Sequence, residues 1–203
     1  PFVTRNGAGV QPVVVLDEID STNAEARRRA EAGEAGPVWL LGLRQTSGRG
    51  RRGRAWETGE GNLAATLLLR TDKPPAEAAQ ASFVAALAVA DMLAHYVPAS
   101  LVSLKWPNDP LLGGLKVSGI LIESGASSLG GLWLAVGIGV NLARKPIDSE
   151  RPATSIATYR EVPPPSPIEA VEILAGAFER WSRAWNTLGF PAIADAWTAR
   201  AHG

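Results

Sequence analysis

The stretch "NLAATLLLR", residues 62–70, decides the architecture. It is apolar at both alternating sets of positions, so it reads as a central strand covered on both sides. Upstream, Val13–Leu16 and Val38–Leu43 read as two more strands. Between them "DEIDSTNAEARRRAEAG" carries a helix start, in which Thr22 and Glu25 have capping-box spacing while Ser21 and Asp20 compete for the cap. Gly33 or Gly36 ends that helix. Downstream, Pro74-Pro75 opens a helix from about Ala76 to Tyr96, apolar almost all round and therefore buried.

Three strand-like segments follow, Leu101–Trp106, Leu115–Glu123 and Leu132–Asn141, separated by the turn chemistry of "PNDPLLGG" and "SGASSLGG". The second separation suits an antiparallel hairpin. Ala143–Pro167 is polar and proline-rich and reads as a loop. Ser166, Pro167 and Glu169 then form a capping box, followed at helical spacing by Val171, Leu174, Phe178, Trp181, Trp185 and Leu188. A shorter helix from Pro191 to Ala201 packs Trp197. These elements predict an α/β (α+β) fold, a mixed and largely antiparallel sheet packed with helices, in a single domain over residues 1–203.

Composition narrows the function. A chain of 203 residues, 46% hydrophobic with seven tryptophans, supports one sizeable core. Without cysteine it has no disulfide or thiolate metal site, and two histidines, His95 and His202, are too few for an imidazole zinc centre. A hard cation held by oxygens remains open. The net charge of +0 lacks the broad basic field of a nucleic-acid binder. No apolar run approaches the roughly 20 residues of a membrane span, and the N-terminus lacks a signal-peptide pattern, so the expectation is a cytoplasmic protein without a membrane partner. The chain begins at Pro1 and ends at Gly203, so both ends are open to trimming.

Against that neutral background, Gly48–Arg54 sets three glycines among four arginines. Gly48, Gly50 and Gly53 free the backbone to turn successive N–H groups toward one anion, and Arg49, Arg51, Arg52 and Arg54 add guanidinium forks. The loop suits phosphates or carboxylates, yet it is not a P-loop, because no Lys-Ser/Thr pair follows. A solvated basic loop or a non-specific nucleic-acid contact is the plain alternative.

In "LKWPNDPLLGGLKVSG", Lys105 and Lys116 fall inside sheet-like segments, so each needs a carboxylate, a phosphate or a route to solvent. Alternation places Lys116 on one strand face with Ser118 and Ile120. Trp106-Pro107-Asn108-Asp109 is a rigid corner offering an amide and a carboxylate, suited to reading a base or holding a cation near phosphates; an Asx turn is the plain alternative. In "WLAVGIGVN" one face runs Trp133, Ala135, Gly137, Gly139, Asn141 and falls away to bare backbone, where a flat ligand could lie or a helix could pack closely. Ser21, Thr22, Asn23 and Gln45 supply hydrogen-bonding groups at strand ends, although a helix cap uses the same residue types.

In this order "STN" (21–23), "QTSGRGRRGRAW" (45–56), "KWPND" (105–109), "LKVSGILIE" (115–123) and "VGIGVN" (136–141) resemble the catalytic domain of biotin protein ligases. The resemblance covers residues 14–142 and, less specifically, the C-terminal helices. It implies the class II aminoacyl-tRNA synthetase-like fold of biotin and lipoate ligases and a two-step reaction. ATP, with Mg²⁺, activates biotin to biotinyl-5′-AMP, and a lysine of a biotin carboxyl carrier protein takes the biotinyl group.

By the same resemblance Lys116, Arg49 and Arg51 are catalytic. Ser21, Thr22, Asn23, Gln45, Gly48, Arg49, Lys116, Gly119, Gly137 and Gly139 bind biotin, and Arg51, Arg52, Arg54, Trp56, Lys105, Asn108 and Asn141 bind ATP or the adenylate, with Trp56 stacked on adenine. Asp109 is a metal or water ligand or the base toward the incoming lysine. The glycine-rich loop is expected to order over the adenylate and exclude water from it.

Many relatives have an N-terminal helix-turn-helix and a C-terminal SH3-like barrel. With about a dozen residues before the first strand and none sufficient for a barrel after Trp197, the expectation is no DNA-binding domain and a barrel absent or truncated. A homodimer is left open. Two alternatives compete: a lipoate or octanoyl transferase of the same fold, and a nucleic-acid-binding module without catalysis.

Overall fold

A computed structural model describes residues 3–5, 11–146 and 152–202. Its elements in chain order begin with β1 (Val3–Arg5), β2 (Val13–Leu16), α1 (Thr22–Glu31), β3 (Val38–Gly42) and β4 (Leu63–Thr71). There follow α2 (Pro75–Ala78), α3 (Ala81–Tyr96), β5 (Val102–Lys105), β6 (Asp109–Leu112), β7 (Leu115–Lys116), β8 (Ser118–Ala126) and β9 (Leu132–Val140). The last two are α4 (Pro167–Leu188) and α5 (Phe190–Thr198). A six-stranded sheet in the order β1-β2-β3-β4-β9-β8 is antiparallel except for the parallel pair β2/β3, and a second sheet holds β5-β6-β7.

The double-faced reading of residues 62–70 holds, since β4 is central and both of its faces are covered. Leu63, Ala65 and Leu67 join the core beneath α3 and α4, while Leu68 joins a smaller core beneath α1. Toward one end of that second face α1 gives out, and Ala64 and Thr66 of β4 are followed across the sheet by Gly139 and Gly137 of β9. The half-covered sheet face thus leaves a recess beside the N-terminus of α1.

Several expectations change. The first strand is β1, and the cap of α1 is Ser21, not Thr22: Ser21 Oγ accepts from the Ala24 N–H at 3.5 Å, while Glu25 turns to Arg28 and Arg29. The long apolar helix is broken into α2 and α3; at the break Gln80 Oε1 accepts from the Trp185 indole at 3.1 Å. By length and mean hydropathy (1.3), Pro75–Tyr96 does reach the measure of a membrane span, contrary to the sequence reading, and 61% of that apolar window is buried inside the fold.

Within "PNDPLLGG" lies β6 rather than a turn alone, and the predicted strand 115–123 is cut at Val117 into β7 and β8 of different sheets. Alternation therefore does not carry from Lys116 to Ser118 and Ile120. The 143–167 loop contains a 3₁₀ turn at Ile156–Tyr159 and buries Thr154 and Ser155; its residues 147–151 lie outside the described ones, as does Gly203. The capping box of α4 is present with both of its hydrogen bonds, but Leu188 at the end of the apolar pattern is exposed.

Candidate active site

The recess is a cleft of about 640 Å³, inside the range of about 300–1,000 Å³ usual for small-molecule sites. Its floor follows from register. Ala64 of β4, Gly139 of β9 and Gly119 of β8 are partners in one row across three strands, and the next row is Thr66, Gly137 and Leu121. Small or absent side chains in the first row expose backbone. The Trp56 indole lies flat against it, for a Cβ on Gly139 would stand 2.3 Å from its Cε2 and one on Gly119 2.8 Å from its Cζ3.

The polar wall comes from the first turn of α1 and from Gln45. Gln45 Oε1 accepts from the Thr22 N–H at 2.8 Å and from Thr22 Oγ1 at 3.1 Å, and its Nε2 donates to Thr58 Oγ1 at 2.9 Å. Ser21, Thr22 and Asn23 are all buried. Asp20 braces this turn, accepting from the Ser21 N–H and from both terminal nitrogens of Arg28; the Arg28 guanidinium holds its carboxyl down at about 2.

The opposite wall is charged. Lys116 Nζ donates to Asp109 Oδ1 at 2.5 Å, an ion pair with the carboxylate largely buried, which answers the need of Lys116 for a partner. Arg49, Arg51 and Arg54 line the cleft from the loop above. That loop has a defined path: Arg49 bridges Ala55, the Trp56 N–H donates to Gly48 O at 2.9 Å, and Arg51–Gly53 make a 3₁₀ turn. Arg51 Nη1 reaches Asn108 Oδ1 at 3.0 Å and ties the loop to the "WPND" corner.

The structure brings together most of the residues singled out from sequence. Ser21, Thr22, Asn23, Gln45, Arg49, Arg51, Arg54, Trp56, Asp109, Lys116, Gly119, Gly137, Gly139 and Asn141 all line one cleft. Gly48, Lys105 and Asn108 do not. Gly48 is bare because a Cβ would stand 2.3 Å from Trp56 O, Lys105 faces solvent, and Asn108 stands behind Arg51. Asn141 spends its Nδ2 on Thr154 O at 3.0 Å. The side chain of Arg52 is outside the described parts.

Several polar residues escaped the sequence reading: Glu57 lines the cleft, Thr58 holds Gln45, and two more lie on the sheet around Asn23. Thr66 is fully buried on β4, where it donates toward Asn23 Oδ1 (2.6 Å) or Thr22 Oγ1 (2.8 Å), and Glu123 of β8 accepts from Asn23 Nδ2 at 2.7 Å. A lone hydroxyl in "NLAATLLLR" and a lone carboxylate in "SGILIE" are the signals that mark them.

A bare backbone floor, a hydrogen-bonding wall and a cationic wall under an arginine loop can hold a flat polar ring at one end and bring a carboxylate to a phosphate at the other. Residues 16–142 match the family model of the biotin/lipoate A/B protein ligase family. The chain is 47% identical over 195 residues to the biotin–[acetyl-CoA-carboxylase] ligase of Paracoccus denitrificans, covering 92% of this chain and 80% of that protein. It is 30% identical over 197 residues to the bifunctional ligase/repressor BirA of Bacillus subtilis (strain 168), covering 95% of this chain and 60% of that one. Its fold matches the biotin protein ligase from Aquifex aeolicus in complex with biotin and ATP, with a TM-score of 0.79 at 28% identity over 93% of this chain and 78% of the other. The chain belongs to the biotin/lipoate A/B protein ligase family.

Proposed function

We propose that this chain is an ATP-dependent biotin ligase. The biotin carboxylate attacks the α-phosphorus of ATP, a P–O bond forms and pyrophosphate leaves. The ε-amine of a carrier-protein lysine then attacks the carbonyl of the mixed anhydride, forming the amide and releasing AMP and a proton. The observation that carries this reading is the Ala64–Gly139–Gly119 floor row set between the Thr22–Gln45 wall and the Lys116–Arg49–Arg51 wall.

Each wall has a task. Ser21, Thr22 and Gln45 supply the hydrogen-bonding groups that a ureido ring needs and an aliphatic acyl chain does not, which favours biotin over lipoate or octanoate within the family. Lys116, held by Asp109, sets a fixed cation where the negative carboxylate meets the negative phosphate. Arg49 and Arg51 offset the charge of the phosphates and of departing pyrophosphate. Trp56, with Asn108 behind the loop, is the aromatic group offered to adenine. Asp109 gains a basic role toward the incoming lysine if substrate draws Lys116 away from it.

The donor set fits a magnesium ion that arrives with ATP. Among the described residues no three Asp, Glu or His side chains converge, and the acidic lining of the cleft is Asp109 and Glu57. Magnesium characteristically takes one or two carboxylates and the phosphate oxygens, and it would add charge neutralisation at the phosphates.

The acceptor proposed is the biotin carboxyl carrier of acetyl-CoA carboxylase, as the name of the Paracoccus relative implies. The setting proposed is the cytoplasm, where ATP is abundant, without a DNA partner, and self-association through the outer edge of β8 remains part of the proposal. Incubation with biotin, ATP, Mg²⁺ and a purified carrier domain tests the reading. One biotinyl group added to a single carrier lysine, with stoichiometric pyrophosphate, is expected. Transfer of octanoyl or lipoyl in place of biotinyl would overturn it.

A further inference from the structure

Asn23 lies in the first turn of α1, yet its side chain is spent on the sheet. The amide spans three strands: Thr66 of β4 at Oδ1, bare Gly137 of β9 beneath, and Leu121 O (3.4 Å) and Glu123 of β8 at Nδ2. A Cβ on Gly137 would stand 2.1 Å from Asn23 Oδ1, so the glycine is bare for the amide.

Hydrogen-bond polarity along this chain of contacts is fixed from one end. Glu123 as a carboxylate and the Leu121 carbonyl can only accept, so Asn23 must present its NH₂ to them and its carbonyl oxygen to Thr66. That oxygen can only accept, and at 2.6 Å it claims the one hydroxyl proton of Thr66. Thr22 Oγ1, 2.8 Å from Thr66, then receives no proton from it. Thr22 therefore spends its own proton on an acceptor, Gln45 Oε1 at 3.1 Å or the Thr66 oxygen at 2.8 Å. Its lone pair is left for the cleft.

We propose that Glu123 and Thr66 are positioning residues for substrate recognition. Acting through Asn23, they set the hydrogen-bond direction of Thr22 so that it accepts from an N–H of the substrate ring. This rests on the biotin reading above and adds a specificity device beneath the site, made by residues outside the cleft lining. A ring that presents N–H to this wall is favoured, and an isosteric ring that presents only acceptors is rejected.

The test measures biotin and ATP KM, kcat and biotin Kd for Thr66→Val, Thr66→Ser, Glu123→Ala and Glu123→Gln. Loss of one buried hydrogen bond is worth about a tenfold weakening, so Thr66→Val and Glu123→Ala should raise biotin KM and Kd by about tenfold. ATP KM should stay within about twofold. Thr66→Ser and Glu123→Gln each keep the needed donor or acceptor and should restore affinity. Because the two residues act through one amide, the Thr66→Val/Glu123→Ala pair should be no worse than about the larger single effect.

Equal biotin affinity in folded Thr66→Val and wild type would overturn the proposal, as would equal losses in biotin and ATP KM. Should Thr66→Val fail to fold, the half-exposed Glu123 decides, since Ala weakening biotin while Gln does not supports the proposal and Ala matching wild type sinks it. Wild type that binds no biotin would instead refute the underlying functional reading.

Discussion

Trp56 rests on Gly139: a Cβ at that glycine would lie 2.3 Å from Cε2 of the indole and 2.4 Å from its Nε1. The resemblance assigned the glycines to biotin and the tryptophan to adenine, and the structure puts the two in contact. Substrate that uses the floor must lift the indole. Biotin with ATP should therefore shift tryptophan emission in the wild type, and Trp56→Phe should lose most of that change despite six other tryptophans. Gly139→Val fills the floor, and overpacking of this kind costs about 1–3 kcal/mol, so biotin binding should weaken about tenfold or more while circular dichroism stays unchanged.

Lys116 and Asp109 form an ion pair in the lining of the cleft, and the proposed reaction makes Lys116 an electrostatic stabiliser. Removing one electrostatic stabiliser of a transition state typically costs about 10²–10³ in kcat. Lys116→Ala should show that loss in the pyrophosphate-releasing step, with a smaller change in ATP KM. Asp109→Asn should lower the rate of transfer to the carrier more than the rate of adenylate formation, read by single-turnover mixing of preformed adenylate with acceptor.

Arg51 and Asn108 tie the glycine-arginine loop to the corner after β5. A hydrogen bond to a charged group contributes about 1.5–3 kcal/mol, so Arg51→Ala and Asn108→Ala should each speed tryptic cleavage within 49–54 by about tenfold or more. The double variant should be no faster than Arg51→Ala. The expectation that the loop orders over the adenylate requires that biotin plus ATP slow cleavage in the wild type.

Asp20 titrates low, from 3.8 to about 2, chiefly through its hydrogen bonds from Arg28. A carboxyl whose folded value lies below its unfolded one contributes stability above about pH 4, and that contribution is lost as pH falls through about 2. Carbon-detected NMR should find its midpoint near 2, and Arg28→Ala should move the midpoint toward the ordinary aspartate value. The same variant should flatten the stability loss across that pH window.

Periodicity and turn chemistry made the large elements legible. The double-faced run of β4, the glycine face of β9 and the capped helix α4 stand where their patterns put them, because each is long and locally consistent. The strand reading of Leu101–Trp106 finds β5, but β6 and the separate β5-β6-β7 sheet were hidden because β6 has only four residues, carries Pro110 and is followed by Gly113-Gly114, the same residues that mark turns. The break at Val117 left no pattern either, since an apolar residue there suits a strand.

Motif residues were legible as a set but not as contacts. Asn23 reaches Thr66 across 43 positions and Glu123 across 100, and only the register of β4, β9 and β8 brings them to one point. Leu188 was misplaced because its pattern continues beyond the surface that α4 covers.

Isothermal titration of biotin into the wild type and Gly139→Val, each with and without a non-hydrolysable ATP analogue, tests the central claim most directly. Saturable heat from biotin in the wild type, abolished or strongly weakened by the substitution in a folded protein, is the predicted result. Heat from octanoate or lipoate with none from biotin, or biotin binding indifferent to Gly139→Val, would contradict it.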